Sequence, residues 1–243
     1  MKAVILAGGR GTRLRPLTYA VPKPLLPINE KPMMEHIIIH MKNHGIKDFI
    51  ITIGYLGYQI ENYFKDGSEW GVNIEYYEEK TPLGTAGCLN PIKDKLKETF
   101  LLVGGDNLTN LNFTKFIEFH KSHKGIASVA LFELQEKVEY GVYSTDENKK
   151  ITKFEEKPFL KYNAGTMIFC LEPEIFKYIP ENKSKKPSVI NITDDILPKL
   201  IKSDKPIYGF PFSDYWIDVG RISDYDKVND GTLPKQLNNI KNS

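Results

Sequence analysis

Two apolar runs in this 243-residue chain stop on glycine pairs: Ala3-Val-Ile-Leu-Ala7 enters Gly8-Gly9, and Thr99-Phe-Leu-Leu-Val103 enters Gly104-Gly105-Asp106. An unbroken apolar run of that length, ended by glycine, is the mark of a strand buried on both faces of a parallel sheet. The intervening sequence supplies helices. Residues 31–44 carry Met33, Met34, Ile37, Ile38 and Met41 at helical spacing and stop at Gly45. A strand follows at 49–53, a helix at 58–64, an extended segment at 73–78 and a helix at 86–96, and a further helix over 114–123 comes after the second glycine pair. Alternation on this scale predicts βαβ units with right-handed crossovers and a mainly parallel sheet. Ligands of such sheets sit beyond the carboxyl ends of the strands, where both glycine clusters fall.

From Ala127 the extended pieces shorten to 127–133, 141–144, 151–155 and 164–170, followed by a helix at 193–202 and a last strand over 215–219. This predicts a more antiparallel, mixed second half that closes over the first. The tail after Asp230, rich in Asn and Lys, reads as frayed. No internal repeat interrupts the chain.

A 41% hydrophobic content is enough for one large domain or two intimate ones. The formal net charge of +2 offers no general pull toward nucleic acid or a membrane, so anion affinity must come from local placement and the expected partner is small. The apolar stretch at the amino end is too short for a signal-peptide core, and no segment reads as a membrane span. Cys88 and Cys170 are far apart and outside any metal motif, which fits a reducing cytoplasm.

Positive charge is written almost wholly as lysine, yet three of the four arginines, Arg10, Arg13 and Arg15, crowd the first glycine cluster; the fourth is Arg221. A guanidinium grips phosphate in a bidentate fork that an ammonium cannot form. A solvated loop is the other reading. The P-loop pattern is absent, and GxGxxG fails at Leu14, which leaves a glycine-rich turn with arginines as a cradle for a polyphosphate. Pro22-Lys23-Pro24 presents a lysine from a stiff support, or merely ends a loop. Asp106 follows a glycine pair, and Asp218 lies in Trp216-Ile217-Asp218-Val219. Buried carboxylates of this kind need a partner, and two brought together suit Mg²⁺; a helix cap for Asp106 and an ion pair for Asp218 remain open.

AGGRGTRLRPLT with PKPLLPI, then PLGTAG at 82–87, GDN at 105–107, FEEKP at 154–158, NAG at 163–165 and WIDVGR at 216–221 resemble the sugar-1-phosphate nucleotidylyltransferases, in order, over about residues 1–230. The resemblance implies a Rossmann-like three-layer α/β/α fold with a mainly parallel mixed sheet. It implies one nucleotidyltransferase domain, with a nucleotide-binding half of about 1–125 and a sugar-phosphate half of about 126–230. A tail at 231–243 follows, without the hexapeptide-repeat domain of many relatives. The implied reaction joins an NTP to a sugar 1-phosphate and releases pyrophosphate by in-line attack, so that catalysis rests on positioning and charge stabilisation.

By the same resemblance, Leu6, Gly8, Gly9, Gly11, Thr12, Glu79, Gly84 and Thr85 would hold the nucleotide. Arg13 would bind the departing pyrophosphate, Lys23 would neutralise the α-phosphoryl group, and Asp106 and Asp218 would hold Mg²⁺. Gly141, Glu156, Lys157 and Asn163 match positions around the sugar phosphate, although Glu155-Glu156-Lys157 alone reads as an exposed charged turn. Uridylyl and thymidylyl relatives carry glutamine at the position of Glu79. A carboxylate only accepts hydrogen bonds and so matches the N1–H and N2–H of guanine, which favours GTP, with mannose 1-phosphate as its usual partner. Asn107 points the other way, toward the thymidylyl branch. UTP or dTTP with glucose 1-phosphate, and a non-catalytic sensor of NDP-sugars, are the alternatives. A homo-oligomer is left open. His36, His40 and His44 share one helical face and are expected to pack at its rim rather than bind metal. Phe113, Phe116, Ile117 and Phe119 are expected in the core.

Overall fold

The computed structural model describes residues 1–181, 188–203 and 205–232, with side chains placed as far as Asp230. In chain order the elements are β1 (Lys2–Ala7), β2 (Pro27–Ile28), β3 (Lys31–Pro32), α1 (Met33–Asn43), β4 (Asp48–Ile53), α2 (Gly57–Phe64), β5 (Asn73–Glu78), α3 (Gly84–Gly87), β6 (Phe100–Gly104) and β7 (Asn107–Thr109). They continue with α4 (Phe113–Lys121), β8 (Ala127–Lys137), β9 (Val142–Thr145), β10 (Ile151–Glu155), β11 (Phe159–Leu171), α5 (Leu197–Ile201), β12 (Ile207–Phe212), β13 (Trp216–Asp218) and α6 (Ile222–Lys227). The tail expected at 231–243 lies, beyond Thr232, outside the described residues.

Seven strands form one sheet in the order β12-β8-β11-β6-β1-β4-β5. β1, the first apolar run, pairs in parallel with β4 on one side and β6 on the other. β4 pairs in parallel with β5, and β12 with β8. β11 is antiparallel to both β6 and β8, so it is the one reversed strand of the seven. The second half is the more antiparallel and mixed one, as expected, with β11, the β9–β10 hairpin and the β7–β13 ribbon antiparallel and β12 parallel to β8, but its long strands extend the same sheet instead of closing over it.

The sheet is covered on both faces. Ala3, Ile5 and Ala7 point into one cluster with Met34, Ile38 and Met41 of α1, Phe64 of α2 and Phe116 of α4. Val4, Ile50 and Leu102 point into the other, with Ala86, Leu89, Ile175 and Leu200. Alternate side chains of an interior strand therefore serve opposite layers, which is why the sequence shows continuous rather than alternating hydrophobicity.

Departures from the expected helices have local causes. Helix α1 begins at Met33 because Lys31–Pro32 pairs with Pro27–Ile28. The segment expected at 86–96 is split into α3 and a 3₁₀ turn at Asn90–Lys95 that carries Pro91 near its start. Pro198 similarly limits the 193–202 helix to α5, preceded by a wide π turn at Ile192–Ile196. Helix α4 is capped by Asn112, whose side chain accepts from Lys115 N–H at 3.0 Å, a contact worth about 1 kcal/mol.

Candidate active site

The chain runs outward from β1 through β4 to β5 and then returns to place β6 on the opposite side of β1. At the carboxyl ends of these strands, where the order reverses, lies a cavity of about 750 Å³. Its wall includes every residue expected to hold the nucleotide: Leu6, Gly8, Gly9, Gly11, Thr12, Arg13, Lys23, Glu79, Gly84 and Thr85. Asp106 and Arg10 also line it. Arg15 does not share that wall; its guanidinium stacks over the Tyr19 ring at 5.0 Å.

The glycine turn is held from below. Gly11 has φ 58°, and a Cβ there would stand 2.9 Å from Thr18 Cγ2 and 3.2 Å from Lys23 Cβ. Thr18 Oγ1 donates to Gly11 O at 2.8 Å, which ties the turn to the segment that delivers Lys23. Arg13 lies across the turn that follows Asp218: a Cβ on Gly220 would be 3.3 Å from Nη1 and 3.4 Å from Nη2.

Two acids that are 112 residues apart meet at that lysine. The Lys23 ammonium contacts Asp106 Oδ2 and lies 3.6 Å from Asp218 Oδ1. The ribbon of β7 and β13 brings them together, pairing Asp218 with Asn107, while Val219 N–H donates to Asp106 O at 3.2 Å. Burial pushes the Asp218 carboxyl above its ordinary range, the Asp106 carboxylate adds to this, and Lys23 and Arg13 oppose it. Asp218 Oδ1 is buried and makes no hydrogen bond, with the Lys23 ammonium just beyond bonding distance at 3.6 Å. Two carboxylate oxygens converging on one cation, one of them without a hydrogen bond, form a donor set that suits Mg²⁺.

Glu79 closes the far wall. Its Oε2 accepts from Leu83 N–H at 3.0 Å, and its Oε1 faces Gly8, where a Cβ would come within 2.7 Å. Burial raises its pKa. One oxygen is thus already engaged by the backbone, so a base meets a carboxylate that is partly committed to the loop. Gly84 and Thr85 also have structural duties. Gly84 has φ +81°, and its missing Cβ would lie 2.5 Å from Ile190 O; Thr85 Oγ1 accepts from Ile192 N–H at 2.9 Å.

The four sugar-phosphate positions stand apart from that wall. The outer halves of β8 and β11 and the β9–β10 hairpin rise from the same end of the sheet, and Asn163 faces Glu133 across the ribbon. Gly141 and Glu156 are neighbours, since a Cβ on Gly141 would lie 3.1 Å from Glu156 Oε2. Lys157 is exposed with φ 45°. Met167, on the same strand as Asn163, reaches the cavity. Met167 is four positions along the strand from Asn163, or roughly 13 Å.

Sequence reasoning missed Thr52, Gly54 and Tyr55 at the end of β4, and Cys88, Met167 and Gly220, all of which line the cavity. Gly54 follows an apolar strand just as Gly8 does, and that repetition was the available signal. Of the histidines, His40 and His44 are half-buried and bond Leu111 O and Thr114 Oγ1, whereas His36 lies deeper than the rim position expected of it, buried with a bond to Ile28 O. Phe113 and Phe116 are buried.

Residues 2–234 match the family model described as nucleotidyl transferase. The chain belongs to the nucleotidyl transferase family. Members similar to it include a UTP–glucose-1-phosphate uridylyltransferase of Synechocystis, 34% identical over 99% of this chain and 66% of that protein. Another is a mannose-1-phosphate guanylyltransferase of Mycobacterium tuberculosis, 33% identical over 92% of this chain and 62% of that protein. The chain therefore spans about two thirds or less of the length of these curated relatives. Among solved nucleotidyl transferases, a Bacillus anthracis structure named for a glucose-1-phosphate thymidylyltransferase superposes with a TM-score of 0.77 at 29% identity, covering 98% of this chain and 99% of that one. HddC from Yersinia pseudotuberculosis shares the fold at a TM-score of 0.73 and 24% identity. Among the described residues, no helix is long and apolar enough to cross a membrane.

Proposed function

We propose that this chain transfers a nucleotidyl group from an NTP to a sugar 1-phosphate, releasing pyrophosphate, with GTP and mannose 1-phosphate as the preferred pair. The observation that carries this reading is the convergence of Asp106 and Asp218 on Lys23, which with Asp106 lines the same cavity as the glycine turn and Arg13. The turn would hold the triphosphate. Arg13 would meet the charge that accumulates on the leaving pyrophosphate, and Lys23 would face the α-phosphoryl group, where a fixed cation stabilises the pentacoordinate transition state. Asp106 and Asp218 would hold Mg²⁺, which when bound supplies Lewis-acid charge to the phosphate oxygens. Gly141, Glu156, Lys157 and Asn163, on the ribbon above, would orient the sugar phosphate for in-line attack.

GTP is favoured because Glu79 places an acceptor-only side chain in the cavity where a base can reach it. The names of the Synechocystis and Bacillus relatives support a second pairing, UTP or dTTP with glucose 1-phosphate. Pyrophosphate release from each of the four NTPs with mannose, glucose and heptose 1-phosphates tests all of this at once. Preference for GTP with mannose 1-phosphate is expected, and Glu79→Gln is expected to move preference toward UTP or dTTP. A wild-type preference for UTP removes the role given to Glu79; silence with every pair would instead indicate a sensor of NDP-sugars. Asp106→Ala and Asp218→Ala are each expected to lower turnover by about 10²-fold or more while the fold is kept.

A further inference from the structure

Asp106 has two carboxylate oxygens, and the surrounding structure treats them differently. Oδ2 contacts Lys23, whereas Oδ1 accepts from Asn107 Nδ2 at 2.8 Å. The other end of that amide is held too: Trp216 Nε1 donates to Asn107 Oδ1 at 2.8 Å. The chemistry of the neighbours fixes the orientation of the amide, since an indole N–H can only donate and a carboxylate can only accept. Asn107 is 2% exposed, so water has little access to compete for either bond. Space is reserved for the arrangement as well. A Cβ on Gly104 would come 2.4 Å from Asn107 Nδ2 and 2.8 Å from Asp106 Oδ1, so a side chain at 104 would break the pair. Trp216 is itself braced against Phe132, with ring centroids 5.7 Å apart.

We infer that Asn107, clamped by Trp216, is a positioning residue that pins Asp106 Oδ1 and thereby turns Oδ2 toward the cation site. Trp216 and Asp218 lie on the same short strand, so one element presents the second acid and also orients the first. The pinned oxygen leaves Asp106 a monodentate donor of fixed direction. Releasing it allows the carboxylate to rotate, and cation binding then bears the cost of reordering it.

The inference rests on the reading of Asp106 as a cation ligand, and the test separates the two. Mn²⁺ binding to the nucleotide-free protein, followed by the electron paramagnetic resonance signal of the free ion, reads the site without turnover. Asp106→Ala is expected to weaken binding most. Asn107→Ala is expected to weaken it by about 10- to 100-fold, the usual effect of losing a partner that orients a ligand. Trp216→Phe keeps a ring against Phe132 and removes only the donor, so a smaller loss is expected, and it carries the test if Asn107→Ala does not fold. The double variant should bind no more weakly than Asn107→Ala, because Trp216 acts through Asn107. In turnover, Asn107→Ala should raise the Mg²⁺ concentration giving half-maximal rate and leave the KM for sugar 1-phosphate unchanged. Wild-type Mn²⁺ binding in Asn107→Ala and Trp216→Phe, with loss in Asp106→Ala, overturns the inference alone. Wild-type binding in Asp106→Ala overturns the ligand reading and the inference with it.

Discussion

Lys23 is the residue on which the site balances. Its ammonium contacts Asp106 and lies 3.6 Å from Asp218, so in the nucleotide-free protein the side chain expected to face phosphate neutralises the two acids expected to face a metal. The two duties compete for one charge. Lys23→Gln is therefore expected to lower turnover by about 10²- to 10³-fold and, in the same protein, to tighten Mn²⁺ binding, because the competing cation is gone. Looser Mn²⁺ binding in that variant would count against the exchange. Lys23 could be read from its two prolines, and Asp106 from its glycines. The amide link from Asp106 to Trp216 could not, since nothing in the local sequence of Asn107 announces a partner 109 positions later.

Elements with strong local character were legible. β1 and β4 fall where their composition places them, because interior strands of a parallel sheet are apolar whatever their neighbours do. β12 was invisible for the converse reason: Ile207–Phe212 contains Gly209 and Pro211, and proline is tolerated there because the strand lies at the sheet edge, a position only the tertiary fold assigns. Of the short β7–β13 ribbon, β13 was legible as the last strand, expected over 215–219, whereas the three-residue β7 left no trace beside its glycines. The segment from Pro82 to Gly87, which ends in α3, shows how an element can be recognised by its motif while its packing partner stays hidden. Its glycine was expected to serve a nucleotide, and it also packs on the Ile190 backbone, whose carbonyl accepts from Ala86 and Gly87 N–H. Gly84→Ala combines a positive φ with a Cβ 2.5 Å from Ile190 O. It is expected to cost on the order of 2 kcal/mol or more, seen as a Tm lower by about 5 °C, together with a higher KM for NTP.

At the scale of the whole molecule, stability should depend on pH through the histidines of α1, which tie it to β2 at Ile28 and to the start of α4 at Leu111 and Thr114. Burial lowers the pKa of His40 to about 4, against the Leu111 carbonyl, and lowers those of His36 and His44 as well. Above pH 6.5 these rings are neutral in both states and their contribution to the fold is fully present. As pH falls through 6.5 the unfolded chain takes up protons that the folded chain resists, at His40 until about pH 4, so stability drops as the solution is acidified. For His40 the loss is on the order of 2–3 kcal/mol. Urea midpoints at pH 7.5 and pH 4.5 should show the fall, and His40→Gln should flatten it; an equal slope in that variant would assign the dependence elsewhere. The three-layer architecture was legible from the alternation of runs, and the single reversed strand was not, because β11 reads as apolar in either direction. The ribbon that unites Asn107 with Asp218 also carries a consequence for biosynthesis. A nascent chain has its first parallel strands in hand early, but its second acid emerges 112 residues after the first. The meeting of the two acids at Lys23 is thereby deferred until residue 218 has been made, and any chain released before it would have the glycine turn and Asp106 without their second carboxylate.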